Sequence, residues 1–199
     1  MKNLSTTHLA ETCISSETIA QGGMLTVKRD QVTLPNGGTG QREYVVHPGA
    51  IIVIPLLDNG NLLLERQFRY ALNQVFIELP AGKIDAGEAP LTTGKRELLE
   101  ETGYSATEWH SLGLQHPCIG YSNEVIHCYL ARGLTLGQHQ RDDDEAMELF
   151  EMSLEDCLTA VKSGEITDSK TIVALFLAEQ FLKAKPYVND SALNSSYAG

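Results

Sequence analysis

Residues 82–104 read GKIDAGEAPLTTGKRELLEETGY, and this stretch contains most of the information on how the chain folds. Pro90 suits the first turn of a helix, where a missing backbone N–H costs little. Gly103 can end the same helix in a left-handed cap, with the apolar Tyr104 just beyond it. The stretch therefore predicts a helix between Pro90 and Gly103. Its apolar side would be formed by Leu91, Leu98 and Leu99.

Three glutamates of this helix, Glu97, Glu100 and Glu101, follow the i, i+3, i+4 spacing of one helix face. Like charges at this spacing destabilise a helix by roughly 0.2–0.5 kcal/mol per pair, so a compensating cation is expected. Hard divalent cations prefer oxygen ligands, and Mg²⁺ binds through carboxylates, waters and substrate phosphates. The acidic face formed by these three residues is therefore a candidate Mg²⁺ platform for a phosphate-containing substrate. A solvated acidic surface is the alternative for the three residues alone.

The spacing of the whole stretch separates these two interpretations. Residues 82–104 satisfy the pattern G-x5-E-x7-R-E-U-x-E-E-x-G-U at every fixed position, where U is an apolar residue. This pattern is the Nudix box, and the chain resembles the Nudix hydrolases. Gly94 would lie inside the helix at a cost of about 1 kcal/mol relative to alanine. Small residues are usual at this position in the family, where the helix packs close to a sheet.

Composition restricts the classes of protein and partner. The 199 residues suffice for one sizeable domain, and a net charge of −11 argues against nucleic acid or an anionic membrane as a partner. We expect no signal peptide, because the N-terminus lacks an apolar run before a cleavage site. We expect no membrane span, because no apolar stretch reaches ~18 residues. The four cysteines lack metal-binding or C-x-x-C spacing, which indicates free thiols and a cytoplasmic location. They are Cys13, Cys118, Cys128 and Cys157.

The rest of the chain is largely β-like, with helices near its C-terminal end. Apolar and polar residues alternate within residues 12–47, as in half-exposed strands, and residues 35–40 are a dense turn signal. This region therefore predicts a small antiparallel sheet. Residues 50–57 are a nearly continuous apolar run that suits a buried strand, and residues 58–61 predict a hairpin turn. Further strands are expected at 62–70, 106–115, 125–131 and 147–152.

The last part of the chain predicts two helices. Ser153 and Gly164 would begin and end the first, and an amphipathic helix would follow at 168–183. Residues 133–145 are polar and acidic, and predict a mobile surface loop. The pattern of elements predicts an α+β fold with helices on a mixed sheet. We divide the chain into an N-terminal β subdomain at 1–47, a main domain at 48–185 and a disordered tail at 186–199.

Outside the box, the chain is similar to the ADP-ribose pyrophosphatase branch of the Nudix hydrolases. A proline in the loop after the box marks that branch. The commoner Ser-Pro-Gly is replaced here by HPC at 116–118, with Gly120 two places later. The phrases that carry the resemblance are RE at 42–43, HPGA at 47–50, ERQFR at 65–69, ELPAG at 78–82, PCIGYSNE at 117–124 and DEAME at 144–148.

The resemblance implies a Nudix α/β/α sandwich and a homodimer with exchanged N-terminal sheets. It implies Mg²⁺-dependent cleavage of ADP-ribose, or a related nucleoside diphosphate sugar, with Mn²⁺ as a substitute metal. GDP-mannose or another sugar nucleotide is the rival substrate, because the box performs the cleavage while the loops choose the substrate. A non-catalytic nucleotide-binding Nudix domain is the alternative from a different class of protein.

The same resemblance implies the metal ligands and the general base. The carbonyl of Ala81 and the carboxylates of Glu97 and Glu101 would bind metal, with Glu100 close to the same cluster. The base would be either a glutamate of the box, Glu100 or Glu101, or a glutamate of the acidic loop. Glu145 matches the loop position best, and Glu148 is the next candidate. A base on a loop makes physical sense, since loop closure excludes water and completes a site.

The remaining assignments concern positioning and substrate contact. The resemblance implies that Arg96 pairs with carboxylates, including Glu88. These pairs would hold the preceding loop against the helix. Arginine suits bidentate contact with a phosphate, which favours Arg69 as a substrate residue. Aromatic residues that could stack on adenine are Phe68, Tyr44 and Tyr121, although packing in the core is the alternative for each. The full set of implied substrate-binding residues is Arg42, Arg69, Glu78 and Glu124.

Overall fold

The computed structural model describes residues 6–23, 25–137 and 147–184, and these ranges contain ten β-strands and three α-helices. Short 3-10 turns lie at Thr7–Leu9 and Tyr70–Leu72. The strands are β1 (Thr12–Gln21), β2 (Thr26–Thr33), β3 (Thr39–Val46), β4 (Ala50–Pro55), β5 (Asn61–Arg69), β6 (Gln74–Glu78), β7 (Ala81–Lys83), β8 (Tyr104–Gln115), β9 (Ile126–Leu136) and β10 (Met147–Ser153). The helices are α1 (Pro90–Thr102), α2 (Leu154–Ser163) and α3 (Ser169–Lys183).

The first three strands form a separate antiparallel sheet in the order β1-β2-β3. Every residue of the outer strand β1 is exposed. The last strand, β3, joins the main body through the loop that follows β8. Val45 N–H donates to the Tyr121 carbonyl at 2.8 Å, and His47 N–H donates to Asn123 Oδ1 at 2.7 Å.

A mixed sheet in the order β7-β4-β9-β8 forms the centre of the main domain, with β4 and β9 parallel and the other pairs antiparallel. Successive side chains of β4 point to opposite faces, as in any strand. Ile51 and Val53 pack with Leu98 of α1, whereas Ile52 and Ile54 pack with the core formed with α2 and α3. The sheet therefore lies between two helical layers, which confirms the predicted α+β fold of the Nudix sandwich type.

The second sheet of the main domain has the order β10-β5-β6 and is antiparallel throughout. The predicted turn forms at 58–61, where Leu57 N–H donates to the Asn61 carbonyl at 2.9 Å. The predicted hairpin turn is therefore confirmed, although β4 and β5 continue into different sheets beyond it. They share one isolated bridge, between Leu56 and Leu62. The chain therefore passes at this turn from the central sheet, which contains β4, to the second sheet, which contains β5.

The helix boundaries follow their predicted end signals. Pro90 occupies the first turn of α1, and Gly103 caps it at φ 75° with its N–H on the Leu99 carbonyl at 2.8 Å. Ser153 caps α2 by accepting the Asp156 N–H at 3.1 Å. Helix α3 is less amphipathic than predicted. Its exposed apolar residues are spread around the helix at Val173, Phe176, Phe181 and Leu182.

For residues 133–145, which were predicted to form an acidic surface loop, the structure corrects one part of the prediction and leaves the other untested. Residues 133–136 were predicted to belong to a loop, but β9 continues to Leu136, which pairs with Tyr104 of β8. Residues 138–146, including Glu145, and the predicted tail at 186–199 lie outside the described residues. Within the described ranges, no helix is long and apolar enough to cross a membrane.

Candidate active site

The acidic face of α1 lies directly against β7. Ala81 N–H donates to Glu101 Oε2 at 3.0 Å, and the side chain of Glu101 is buried. A Cβ atom added to Gly82 would lie 1.9 Å from the carboxyl carbon of Glu97. A side chain at this position would therefore displace the Glu97 carboxylate, which the glycine allows to lie against the backbone of β7. The first glycine of the box and two of its glutamates thus meet at one point.

Arg96 connects the helix with the loop that precedes it. Its Nη1 atom lies 2.8 Å from Glu97 Oε1 and 2.8 Å from Glu100 Oε2. Its Nη2 atom lies 3.0 Å from Glu88 Oε2. This one guanidinium therefore offsets part of the repulsion between the glutamates and pairs with Glu88, as the resemblance implied. The hydrogen bond with Arg96 lowers the pKa of Glu88, and the bond from Thr93 Oγ1 at 2.8 Å acts in the same direction.

The chemistry of the donor set fits a hard divalent cation. Glu97 and Glu101 place carboxylate oxygens next to the Ala81–Gly82 backbone, and carboxylates and backbone carbonyls are the ligands that such cations prefer. Glu100 is the most exposed of the three glutamates and shares Arg96 with Glu97. Among residues 6–23, 25–137 and 147–184, no three acidic, histidine or cysteine side chains form a ready-made metal-binding group.

Two of the predicted substrate residues, Arg69 and Glu78, bind each other. Arg69 Nε and Nη2 donate to the two carboxylate oxygens of Glu78, both at 2.7 Å, in a bidentate pair. Glu78 is 2 % exposed, whereas the Arg69 side chain is 42 % exposed. Burial raises the pKa of Glu78, but the hydrogen bonds and charges of Arg69 and Lys170 outweigh it and hold that pKa below its ordinary value.

The other two predicted substrate residues lie at the junction with the N-terminal sheet. Arg42 is on β3, where its Nε donates to Glu11 Oε2 at 2.9 Å. Glu124 ends the loop after β8, and its Oε1 lies 3.6 Å from His47 Nδ1. Among the hydrogen bonds and ion pairs of the described residues, none joins Arg42 or Glu124 to the Arg69–Glu78 pair or to the acidic face.

The second candidate base, Glu148, lies on β10 and pairs with Arg66 at 3.1 Å. Its side chain is largely exposed, which suits a surface ion pair. Of the aromatic candidates, Phe68 and Tyr121 are exposed, while Tyr44 is partly buried and donates to Asp30 Oδ2 at 3.2 Å. These placements leave the roles of all four residues as predictions.

Sequence reasoning missed the first turn of α3, which contacts the end of β6. Lys170 donates to the carboxylate of Glu78, and Thr171 Oγ1 accepts the N–H of Leu79 at 3.0 Å. The residues joined by these two bonds are 92 positions apart in the chain. The only local signal was Asp168, a good N-cap that predicts where the helix begins but not what its first turn touches.

Residues 46–175 match the family described as the NUDIX domain, and residues 11–45 match the nucleoside diphosphate sugar hydrolase N-terminal domain. The first match covers more than half of the chain and includes the box, α1 and β7. This protein therefore belongs to the Nudix hydrolase family. Members of this family generally use divalent metal ions.

Individual relatives cover nearly the whole chain. The ADP-ribose pyrophosphatase of Bacillus subtilis (strain 168) is 38 % identical over 179 residues, which are 89 % of this chain and 95 % of the relative. The methanol dehydrogenase activator of Bacillus methanolicus is also 38 % identical, over 83 % of this chain and 90 % of its own. A crystal structure of an ADP compounds hydrolase shares the fold with a TM-score of 0.79, at 23 % identity over 87 % of this chain and 94 % of that one.

Proposed function

We propose that this protein hydrolyses the pyrophosphate of ADP-ribose, or of a closely related nucleoside diphosphate sugar, in a Mg²⁺-dependent reaction. For ADP-ribose the products are AMP and ribose 5-phosphate. The observation that carries the proposal is the contact of the acidic face with β7, where Gly82 leaves room for Glu97 and Ala81 binds Glu101. The similarity to an ADP-ribose pyrophosphatase over most of both chains supports the choice of substrate.

The residues of the acidic face have distinct parts in this proposal. Glu97, Glu101 and the Ala81 carbonyl hold the metal, and Glu100 lies close to the same ions. Bound Mg²⁺ supplies charge neutralisation at the pyrophosphate and a lower pKa for the attacking water. Arg96 holds Glu97 and Glu100 against the loop that contains Glu88, so that the carboxylates enter the reaction already oriented.

Arg69 binds a phosphate or ribose oxygen of the substrate. Its Nε and Nη2 atoms are fixed by the fork on Glu78, which leaves Nη1 and the outer edge of a well-exposed guanidinium for a ligand. A guanidinium fixed in this way loses little entropy when it binds an anion. In this proposal Glu78 acts through Arg69, which makes it a positioning residue for the substrate contact.

The general base is the glutamate of the acidic segment, Glu145, with a glutamate of the box as the alternative. The protein acts as a homodimer in a reducing, cytoplasmic setting, and its N-terminal sheets are exchanged between subunits. The exposure of every residue of β1 supports the exchange, since this strand contributes no buried residue to the core of its own chain. Arg42 and Glu124 would then complete the substrate site at the junction of two subunits.

The test is a panel of substrates with and without Mg²⁺, with products identified by mass. ADP-ribose, GDP-mannose, NADH, FAD and a diadenosine polyphosphate are compared at equal concentration. We expect Mg²⁺-dependent formation of AMP and ribose 5-phosphate, with the highest kcat/KM for ADP-ribose. Preference for GDP-mannose would contradict the choice of substrate and retain the chemistry. Lack of turnover of every compound would contradict the proposal in favour of a nucleotide-binding domain.

A further inference from the structure

The first turn of α3 is held rigidly by its own capping residue. Asp168 Oδ2 accepts the backbone N–H of Thr171 at 3.0 Å and also binds the ammonium of Lys170 at 3.0 Å. The carbonyl of Lys170 accepts a hydrogen bond from Gln115 Nε2 of β8 at 3.2 Å. Thr171 is completely buried. This turn is therefore fixed relative to the central sheet, and its side chains have defined positions.

Two side chains of this turn extend to the end of β6. The ammonium of Lys170 donates to Glu78, the last residue of that strand, and Thr171 Oγ1 accepts the N–H of Leu79 at 3.0 Å. Leu79 is completely buried, so its N–H has no access to water as an alternative partner. A buried donor without a partner is strongly unfavourable, which makes the hydroxyl of Thr171 important at this position.

Residues 78–81 are held one by one by four different parts of the fold. Glu78 is bound by Arg69 and Lys170, and Leu79 by Thr171. The Pro80 carbonyl accepts the N–H of Val53 at 2.8 Å, and Ala81 N–H binds Glu101. Helix α3 contributes to the first two of these four anchors. The segment links the Arg69 contact at one end with the acidic face at the other.

We infer that Lys170 and Thr171 are positioning residues for the active site, which they serve by holding Glu78 and Leu79. Lys170 helps to fix the carboxylate that orients Arg69. Thr171 fixes the backbone that leads into Ala81. This inference rests on the proposed function. It adds to that function a role for the C-terminal helix, whose first turn hydrogen-bonds Glu78 and Leu79.

The experiment compares Lys170→Met and Thr171→Val with the wild-type protein. Lys183→Met is the control, because it removes another lysine–glutamate pair, with Glu179, at the exposed end of the same helix. The first measurement is amide hydrogen exchange at Leu79 and Ala81 without substrate or metal. The second is the hydrolysis of ADP-ribose, with KM, kcat and the Mg²⁺ concentration for half-maximal rate determined separately.

Thr171→Val is expected to speed exchange at Leu79 and Ala81 at least tenfold, and to raise the Mg²⁺ concentration for half-maximal rate several-fold. Lys170→Met is expected to raise KM at least fivefold and to change kcat less than twofold, as expected when a binding residue loses its orientation. Thr171→Ser and Lys170→Arg, which keep the hydroxyl and the charge, should restore most of each value. Lys183→Met should match the wild-type protein in every measurement.

Two results would overturn the inference. One is unchanged exchange at Leu79 and Ala81 in Thr171→Val. The other is altered exchange together with unchanged KM, kcat and Mg²⁺ requirement in both variants, which would make the contacts purely structural. If Thr171→Val does not fold, Thr171→Ala replaces it under the same exchange criterion, and Thr171→Ser remains the variant that should restore slow exchange. If the wild-type protein hydrolyses no substrate, the proposed function fails, and the exchange measurement still decides whether α3 holds residues 78–81.

Discussion

At the scale of single residues, Gly82 and Gly94 belong to one motif but have different steric surroundings. A Cβ atom at Gly82 would lie within 2.4 Å of three atoms of Glu97, including its carboxyl group. A Cβ atom at Gly94 would meet its nearest neighbours, Trp109, Tyr129 and Val53, at 3.4–3.8 Å, which is ordinary packing. The observed position of the Glu97 carboxylate therefore depends on glycine at Gly82, whereas Gly94 has space for alanine.

We predict that Gly82→Ala lowers kcat/KM at least tenfold, because the carboxylate of Glu97 must move away from the Ala81–Gly82 backbone. The matched variant Gly94→Ala should keep its activity. It should also raise the free energy of unfolding by up to about 1 kcal/mol through its better helix propensity. Kinetics with ADP-ribose and urea denaturation of both variants test this contrast. Equal activity of the two variants would contradict it.

At the scale of elements, the pair of β5 and β6 joins the substrate side of the site to the buried core. Glu78 on β6 has a pKa below the ordinary value of 4.5, since Arg69 and Lys170 outweigh the effect of burial. The unfolded chain binds a proton at Glu78 at a higher pH than the folded protein does. The contribution of this carboxylate to stability is therefore complete above its unfolded pKa and is lost as the pH falls towards its lower folded pKa.

We predict that Glu78→Gln lowers the free energy of unfolding by about 2–3 kcal/mol at pH 7, because it leaves two cations without their buried partner. The difference from the wild-type protein should shrink as the pH falls below 4.5. Urea denaturation at pH 7 and pH 3.5 measures both values. Glu165→Gln, at an exposed glutamate between α2 and α3, is the control and should show no such difference. A difference that is independent of pH would contradict the assigned charge state of Glu78.

At the scale of the whole molecule, the N-terminal sheet has an outer strand, β1, that other parts of the single chain do not cover. Ile14 and Ile19 of β1 are exposed, as are all other residues of that strand. Small sheets of this kind need a second surface to bury apolar area and become stable. The proposed second subunit would supply that surface, and it would also give a partner to Arg42 and Glu124, whose hydrogen bonds and ion pairs among the described residues do not reach the acidic face.

We predict that the protein elutes as a dimer with twice the chain mass of 21.8 kDa. Ile19→Glu should shift it towards the monomer at micromolar concentration, because it places a charge on the outer strand β1. The matched control is Val173→Glu on α3, where the wild-type residue is 39 % exposed compared with 38 % for Ile19. Size-exclusion chromatography with light scattering decides the point, and a monomeric wild-type protein would contradict the exchange of sheets.

The sequence predicted α1 and its surroundings well because the signals there are local. Pro90, Gly103 and the spacing of the glutamates each act within a few residues. The prediction failed where the outcome depended on distant partners. Residues 133–136 read as a loop because they are adjacent to an acidic run, yet β8 pairs with Leu134, Thr135 and Leu136. Lys170 and Thr171 lack any local pattern that points to β6.

The central claim is that the acidic face of α1 performs metal-dependent hydrolysis, and Glu101→Gln tests it most directly. The amide keeps an oxygen that accepts the Ala81 N–H, so the fold should persist while the charge is lost. With ADP-ribose and saturating Mg²⁺, we predict a fall in kcat of about 100-fold or more, since a ligand of the metal is removed. The control Glu165→Gln should retain full activity. Wild-type turnover by Glu101→Gln would contradict the claim.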